Sequence, residues 1–176
     1  MGINRGKQFE EVVEKCANSV EGAYVLRLYD PQGGYSGVAN PCDFILYRNG
    51  IMYMVECKSV HGNLLTIYGT DPKKAYGNIS NTQWNGLLKA HDKGIVAGIL
   101  CWWIDKDVTV FIPIEFLQEY RKHHKSIHYG VASQVEWTDN DGNPLPDNPV
   151  IIKGTKKRVL FDYDFEDFFK QFEISC

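Results

Sequence analysis

The chain has 176 residues, 44% of them hydrophobic and 13% aromatic, with a formal net charge of −3. This composition suits one globular domain that buries about two-thirds of its unfolded surface, and it excludes a disordered chain or a globally basic protein that coats nucleic acid. The five cysteines, at 16, 42, 57, 101 and 176, are scattered and never form a CxxC pair, which excludes a disulfide framework or a zinc site.

The N-terminal stretch MGINRGKQFEE is charged from its fourth residue, and no run approaches the ~20 apolar residues of a membrane span. A soluble protein of the reducing cytoplasm is expected, without membrane partners. Phe9, Val12, Val13 and Cys16 recur at helical spacing, which predicts an amphipathic helix over 7–19 with Glu10, Glu11 and Glu14 on its charged face. AYVLRLY (23–29) reads as a strand, and DPQGGYSGVANP after it as a Gly- and Pro-rich loop. CDFILYR and IMYMVECK are two β-prone runs joined by Asn49-Gly50, a strong hairpin signal. LLTIY (64–68) adds a short strand. Residues 72–92 turn helical, with Trp84, Leu87, Leu88 and His91 at spacings of three and four. GIVAGILCWW and DVTVFI predict paired strands, and Trp102 and Trp103 should face opposite sides of theirs. Pro113 opens a helix running to about 124. Residues 126–150 are polar and rich in Asn, Asp, Gly and Pro, and read as a long excursion before a VLFDY strand and a helix over 164–173. Together these predict a single-domain α/β fold with a mixed central sheet flanked by helices, its core over about 5–125 and its C-terminal excursion and helix over 126–176.

The hairpin carries the chemistry. A two-residue turn at 49 and 50 pairs 48 with 51, and stepping outward along the ladder sets Asp43 across from Glu56. Side chains alternate faces, so Lys58 shares theirs. Two facing carboxylates repel, which calls for a compensating cation; an oxygen-only site suits Mg²⁺ or Mn²⁺, with the backbone carbonyl of Cys57 as a further oxygen. Such an ion polarises a phosphate and lowers the pKa of its water, while Lys58 orients that water or stabilises developing charge. The bland alternative is a solvent-facing hairpin with an incidental lysine, and the apolar flanks FIL and MYMV argue against it.

Asn40-Pro41-Cys42-Asp43 followed by Glu56-Cys57-Lys58 resembles the PD-(D/E)XK nuclease superfamily over about residues 5–112. Within it the chain looks most like the RecU-type Holliday-junction resolvases of Gram-positive bacteria and their phages: Arg5-Gly6 with Phe9-Glu10 is similar to their N-terminal helix motif, and Gln83 to a glutamine on a helix that approaches the active site. The resemblance implies a restriction-endonuclease-like sheet, Asp43 and Glu56 as metal ligands, Lys58 assisting the water, Glu10 near the metal, DNA as substrate, and a homodimer for symmetric cutting of branched DNA. The interval 30–42 is too short for the projecting stalk of those resolvases, so a nuclease of the same superfamily acting on duplex DNA, or an idle DNA-binding module, stands beside the resolvase reading.

Other residues carry alternatives. Glu10 is a third metal ligand or part of a solvated acidic face. Gln83 is a catalytic-site or nucleotide contact, or an exposed polar residue of an amphipathic helix. Lys73, Lys74, Lys153, Lys156, Lys157 and Arg158 are candidate phosphate contacts or solvated charges. A second basic cluster lies at Arg121, Lys122 and Lys125. His123, His124 and His128 lack metal-ligand spacing with any carboxylate or cysteine, and read as structural or phosphate-facing.

Overall fold

The structure is a computed structural model and describes residues 4–29, 40–67, 77–134, 137–138, 148–157 and 160–173. Helix α1 (Arg5–Asn18) begins where the Asn4 side chain accepts from the Lys7 amide at 3.2 Å, and it buries Phe9, Val13, Cys16 and Ala17. After β1 (Tyr24–Arg27), strands β2 (Phe44–Arg48) and β3 (Ile51–Val60) form the hairpin. Asn49 and Gly50 both take positive φ, 48° and 86°, the backbone of a type I′ turn whose twist matches the strands it joins. The register follows: Arg48 pairs with Ile51 and Phe44 with Val55, as the turn predicts.

The main sheet runs β1-β2-β3-β5-β6-β8, with β5 (Val96–Trp103), β6 (Val108–Pro113) and β8 (Val150–Ile151). β3 and β5 are parallel and every other neighbouring pair is antiparallel, so the sheet is mixed. Helix α2 (Asn81–His91), in the chain between β3 and β5, supplies the crossover that a parallel pair requires. Alternation along the strands feeds two cores. Phe44, Tyr53, Val55, Trp102 and Phe111 pack under α1 and under α5 (Phe165–Glu173). Ile99, Cys101, Trp103 and Ile112 pack under α2 and α3 (Ile114–Tyr120). Trp102 and Trp103 thus lie in opposite layers, as their adjacency on a strand predicts. Among the described residues no helix is long and apolar enough to cross a membrane.

Three expectations shift. The helix predicted over 72–92 begins at Asn81 among the described residues, because Ser80 and Gln83 form a capping box that fixes the first turn there; its predicted portion over 72–76 lies outside the described residues. The helix predicted to reach about 124 ends at Tyr120 and continues as a turn. The polar excursion contains order: β7 (Ser126–His128) pairs with β4 (Leu64–Thr66), and α4 (Tyr129–Ala132) follows, because Ile127 and Ala132 are fully buried anchors in an otherwise polar stretch. β9 (Gly154–Lys157) and β10 (Leu160–Tyr163) make a separate two-stranded sheet.

One contact seats α2 against the strand that leads into the hairpin. A Cβ on Gly86 would stand 2.3 Å from the Pro41 Cβ and 3.2 Å from its Cα, so the helix and the segment just before Asp43 approach as closely as glycine allows. Gly to Ala inside a helix ordinarily stabilises by about 1 kcal/mol. Gly86→Ala is expected to do the reverse, costing roughly 1–3 kcal/mol as α2 is pushed off Pro41; urea unfolding that shows a gain would contradict this seating.

Candidate active site

β2 and β3 place the acidic pair. Asp43 stands one residue before β2; its amide donates to the Val55 carbonyl at 3.1 Å, so Val55, already paired with Phe44, faces both residues, and the paired register ends at Phe44 without running on to set Asp43 across from Glu56 as the turn predicts. The Asp43 Oδ2 accepts from the Cys57 amide at 2.7 Å. Glu56 and Lys58 lie opposite Ile99 and Cys101 of β5, on the face covered by α2.

Glu56 is only 3% exposed. Its Oε1 meets the Lys58 Nζ at 2.7 Å and accepts from the Gln83 Nε2. The Gln83 Oε1 accepts from the Lys58 Nζ at 3.3 Å and from the Ser80 amide at 2.9 Å. The capping box that starts α2 therefore also orients Gln83 between Glu56 and Lys58. The exposed-polar alternative for Gln83 is not what the fold makes of it.

Burial raises the pKa of Asp43, opposed by the hydrogen bond from the Cys57 amide. Burial, and next the neighbouring Asp43, push Glu56 up to about 7 against the pull of Lys58. The neighbouring Asp43 raises Glu56 while Glu56 lowers Asp43, so of the two the proton is favoured on Glu56 and the charge on Asp43. When both carboxyl groups are ionised, the one ammonium of Lys58 leaves a negative charge over on the buried Glu56 and half-buried Asp43. The donor set is hard oxygen and rimmed by solvent on the Asp43 side, and a small divalent cation is commonly held by one or two carboxylates plus waters and substrate phosphates. The residues present fit Mg²⁺ or Mn²⁺ in that open form; among the described residues no three His, Cys, Asp or Glu side chains converge to hold a metal.

Glu10 reaches the same place by a different route. It lines, with Lys7, Glu14, Arg27, Tyr29 and Asp43, a cleft of about 860 Å³, and it contributes to raising the Asp43 pKa. Its carboxylate is held by Arg27, whose Nη2 lies 2.5 Å from the Glu10 Oε2 while Nη1 lies 3.1 Å from the Glu14 Oε2. Arg27 is the residue that sequence reasoning missed. The signal was there: a single charge within AYVLRLY, on a strand next to an acidic helix face.

The candidate phosphate contacts separate. Lys153, Lys156 and Lys157 lie on or beside β9, each against a carboxylate, on Asp167, Asp107 and Asp162 respectively. Lys73, Lys74 and Arg158 lie outside the described residues.

In comparison with known proteins, no family model matches the chain and no curated protein matches it. Among solved structures the chain is similar to Hjc, a Holliday junction resolvase from the archaeal hyperthermophile Archaeoglobus fulgidus, with 19% identity over 72% of this chain and 90% of that chain and a TM-score of 0.45. A likeness of that size carries no argument about activity.

A carboxyl group whose pKa is raised on folding contributes its full stability below the unfolded value and loses it as pH climbs through the folded value. For Glu56 that window runs from 4.5 to about 7, and at 1.4 kcal/mol per unit the loss is roughly 3 kcal/mol. In EDTA, Glu56→Gln is therefore expected to gain on the parent chain by about that amount between pH 5 and pH 8, as read by urea unfolding. A constant difference across this range would show that the Glu56 carboxyl is not strained by its surroundings.

Proposed function

We propose that the chain is a divalent-cation-dependent DNA endonuclease that hydrolyses phosphodiester bonds, with branched DNA such as the Holliday junction as its substrate and a homodimer as the cutting unit. The single observation that carries this reading is the cluster in which the buried Glu56 contacts the Lys58 ammonium and both bond Gln83 of α2, with the Asp43 carboxylate held beside them by the Cys57 amide. A structural sheet gains nothing from such a pair, whereas phosphate chemistry needs it.

Asp43 and Glu56 would hold Mg²⁺ or Mn²⁺, with the Cys57 carbonyl as a further oxygen; when bound, the ion polarises the scissile phosphate and supplies a water of lowered pKa. The Cys57 amide fixes the Asp43 carboxylate in the rotamer that faces the cleft. Lys58 projects its ammonium beside Glu56, where it orients the attacking water and offsets charge developing on the phosphate. Gln83 is a positioning residue. By accepting from Lys58 and donating to Glu56 it keeps those two groups apart in role, one ligand and one cation, and its own geometry is set by Ser80. Glu10 serves as a further acidic group at the cleft, held back from Asp43 by Arg27.

The short interval between β1 and Asp43, residues 28–42, favours a second reading, a nuclease of related chemistry that cuts duplex DNA, since it leaves little chain for a junction-gripping projection. One assay separates these. Labelled four-way junction, linear duplex and single strand are incubated with Mg²⁺ or with EDTA. Symmetric, Mg²⁺-dependent nicking of the junction alone is expected, with Asp43→Asn, Glu56→Gln and Lys58→Ala each losing at least a hundredfold in rate while Asp43→Asn and Glu56→Gln still bind DNA. Equal cutting of duplex would establish the second reading. No cutting of any substrate by the parent chain would reduce it to a DNA-binding module, and variants that lose binding together with cutting would contradict the assigned roles.

A further inference from the structure

Two basic clusters of the fold have different surroundings. Lys153, Lys156 and Lys157 are each matched by an aspartate, so the β9–β10 sheet presents balanced charge. The run Arg121-Lys122-His123-His124-Lys125 contains no acid. It leaves α3 as a turn, with the Arg121 amide donating to the Leu117 carbonyl at 3.0 Å and the His123 and His124 amides both donating to the Tyr120 carbonyl. Lys122 reaches Glu119 at 2.6 Å, an exposed pair three residues apart on the helix. Lys125 and His123 are exposed and have no ion pair among the described residues. A helix C-terminus favours cations within its last turn; this run carries on beyond it, so the helix dipole does not account for it.

One end of the run is fastened to the helix that bears Gln83 and the other to the end of β4. The Arg121 guanidinium carbon lies 4.3 Å above the Trp84 ring, and Trp84 neighbours Gln83, which bonds Glu56 and Lys58. The Lys125 carbonyl accepts from the Ile67 amide at 3.0 Å, tying the turn to the end of β4, the strand that follows β3. Cation and ring hold the turn against the first turn of α2 while its lysines stay in water.

We propose that the 121–125 turn is the surface on which the phosphate backbone of the substrate DNA lies, with Lys122 and Lys125 as the phosphate contacts and Arg121 as the anchor that holds the turn against Trp84, next in the chain to the Gln83 that bonds Glu56 and Lys58. This rests on the endonuclease reading above. The contact reads backbone charge and carries no base preference. Glu119 releases Lys122 at little cost, because an exposed pair of this kind contributes less than about 1 kcal/mol. The β9–β10 pairs are exposed too, but there each of three lysines faces its own aspartate, whereas Lys125 has no ion pair among the described residues, so the turn rather than that sheet carries the track.

The test is fluorescence anisotropy of a fluorescein-labelled four-way junction and of a labelled duplex, titrated in EDTA over a series of salt concentrations. Lys122→Gln/Lys125→Gln is expected to weaken binding of both probes by roughly an order of magnitude and to lower the slope of log K against log salt by about 2, one counterion for each lost contact. Lys125→Gln alone lowers it by about 1, and Lys153→Gln/Lys156→Gln/Lys157→Gln leaves it unchanged. Both turn lysines are exposed, so circular dichroism and melting temperature of these variants should match the parent. If the parent binds DNA and the double variant binds it with the same slope, or if the β9–β10 variant takes the slope down instead, the track is elsewhere and the endonuclease reading stands. If the parent neither binds nor cuts either probe, the reading beneath the proposal fails as well.

Discussion

The burial of the Glu56 carboxyl on the sheet face under α2, with Asp43 close by, is the constraint around which the structure is arranged. An apolar pair at these positions would pack without penalty; instead Glu56 sits 3% exposed, with its pKa pushed up to about 7. Each neighbouring element answers that charge. The Cys57 amide donates to Asp43, Lys58 reaches across to Glu56, and Gln83 at the start of α2 bonds both Glu56 and Lys58. Gly86, one turn further along the same helix, lets α2 settle against Pro41 so that Gln83 can reach. A site held under such electrostatic tension is stabilised by whatever cation it takes in, which couples ligand binding to folding stability.

The strand order brings α2 to this site. A parallel β3–β5 pair needs a crossover, and the crossover delivers the N-terminus of α2 to the sheet face where the acids lie. On the opposite face, α1 packs through Phe9 and Val13 and turns Glu10 and Glu14 outward to the cleft, where Arg27 of the edge strand receives them. The acidic rim comes from a different layer and meets the carboxylate pair at the cleft through Asp43 alone. Arg27, lying over Phe44 and beside Tyr29, is the cation that keeps that rim from adding a third charge at full strength to the pair.

Much of this was legible in the sequence because it depends on local rules. Asn49-Gly50 dictates a type I′ turn, and the turn dictates the register from Arg48–Ile51 to Phe44–Val55, which brings Asp43 to the end of β2 near Glu56 and Lys58; there the Cys57 amide, not a further ladder pair, holds the Asp43 carboxylate. The adjacent tryptophans sort to two layers by the same period-two argument. What was not legible depends on contacts distant in the chain. Nothing local to Ser80 or Gln83 says that the capping box will be closed against Glu56, 27 residues away. Periodicity read 72–92 as helix, whereas the cap starts it at Asn81. The stretch after 126 read as irregular because two buried residues, Ile127 and Ala132, are too few for a pattern, yet they suffice to dock β7 and α4. The basic cluster at 153–158 stood out by charge alone, and its aspartate partners come from three separate segments.

The central claim is that the Asp43–Glu56 pair is built to receive a divalent cation. The most direct measurement is a calorimetric titration of the chain with Mn²⁺ in the absence of DNA, paired with melting temperature as a function of Mn²⁺, for the parent, Asp43→Asn and Glu56→Gln. The account predicts saturable binding with a rise in melting temperature for the parent, and loss of both in each variant. Equal Mn²⁺ response in all three chains, or none in the parent, would contradict it.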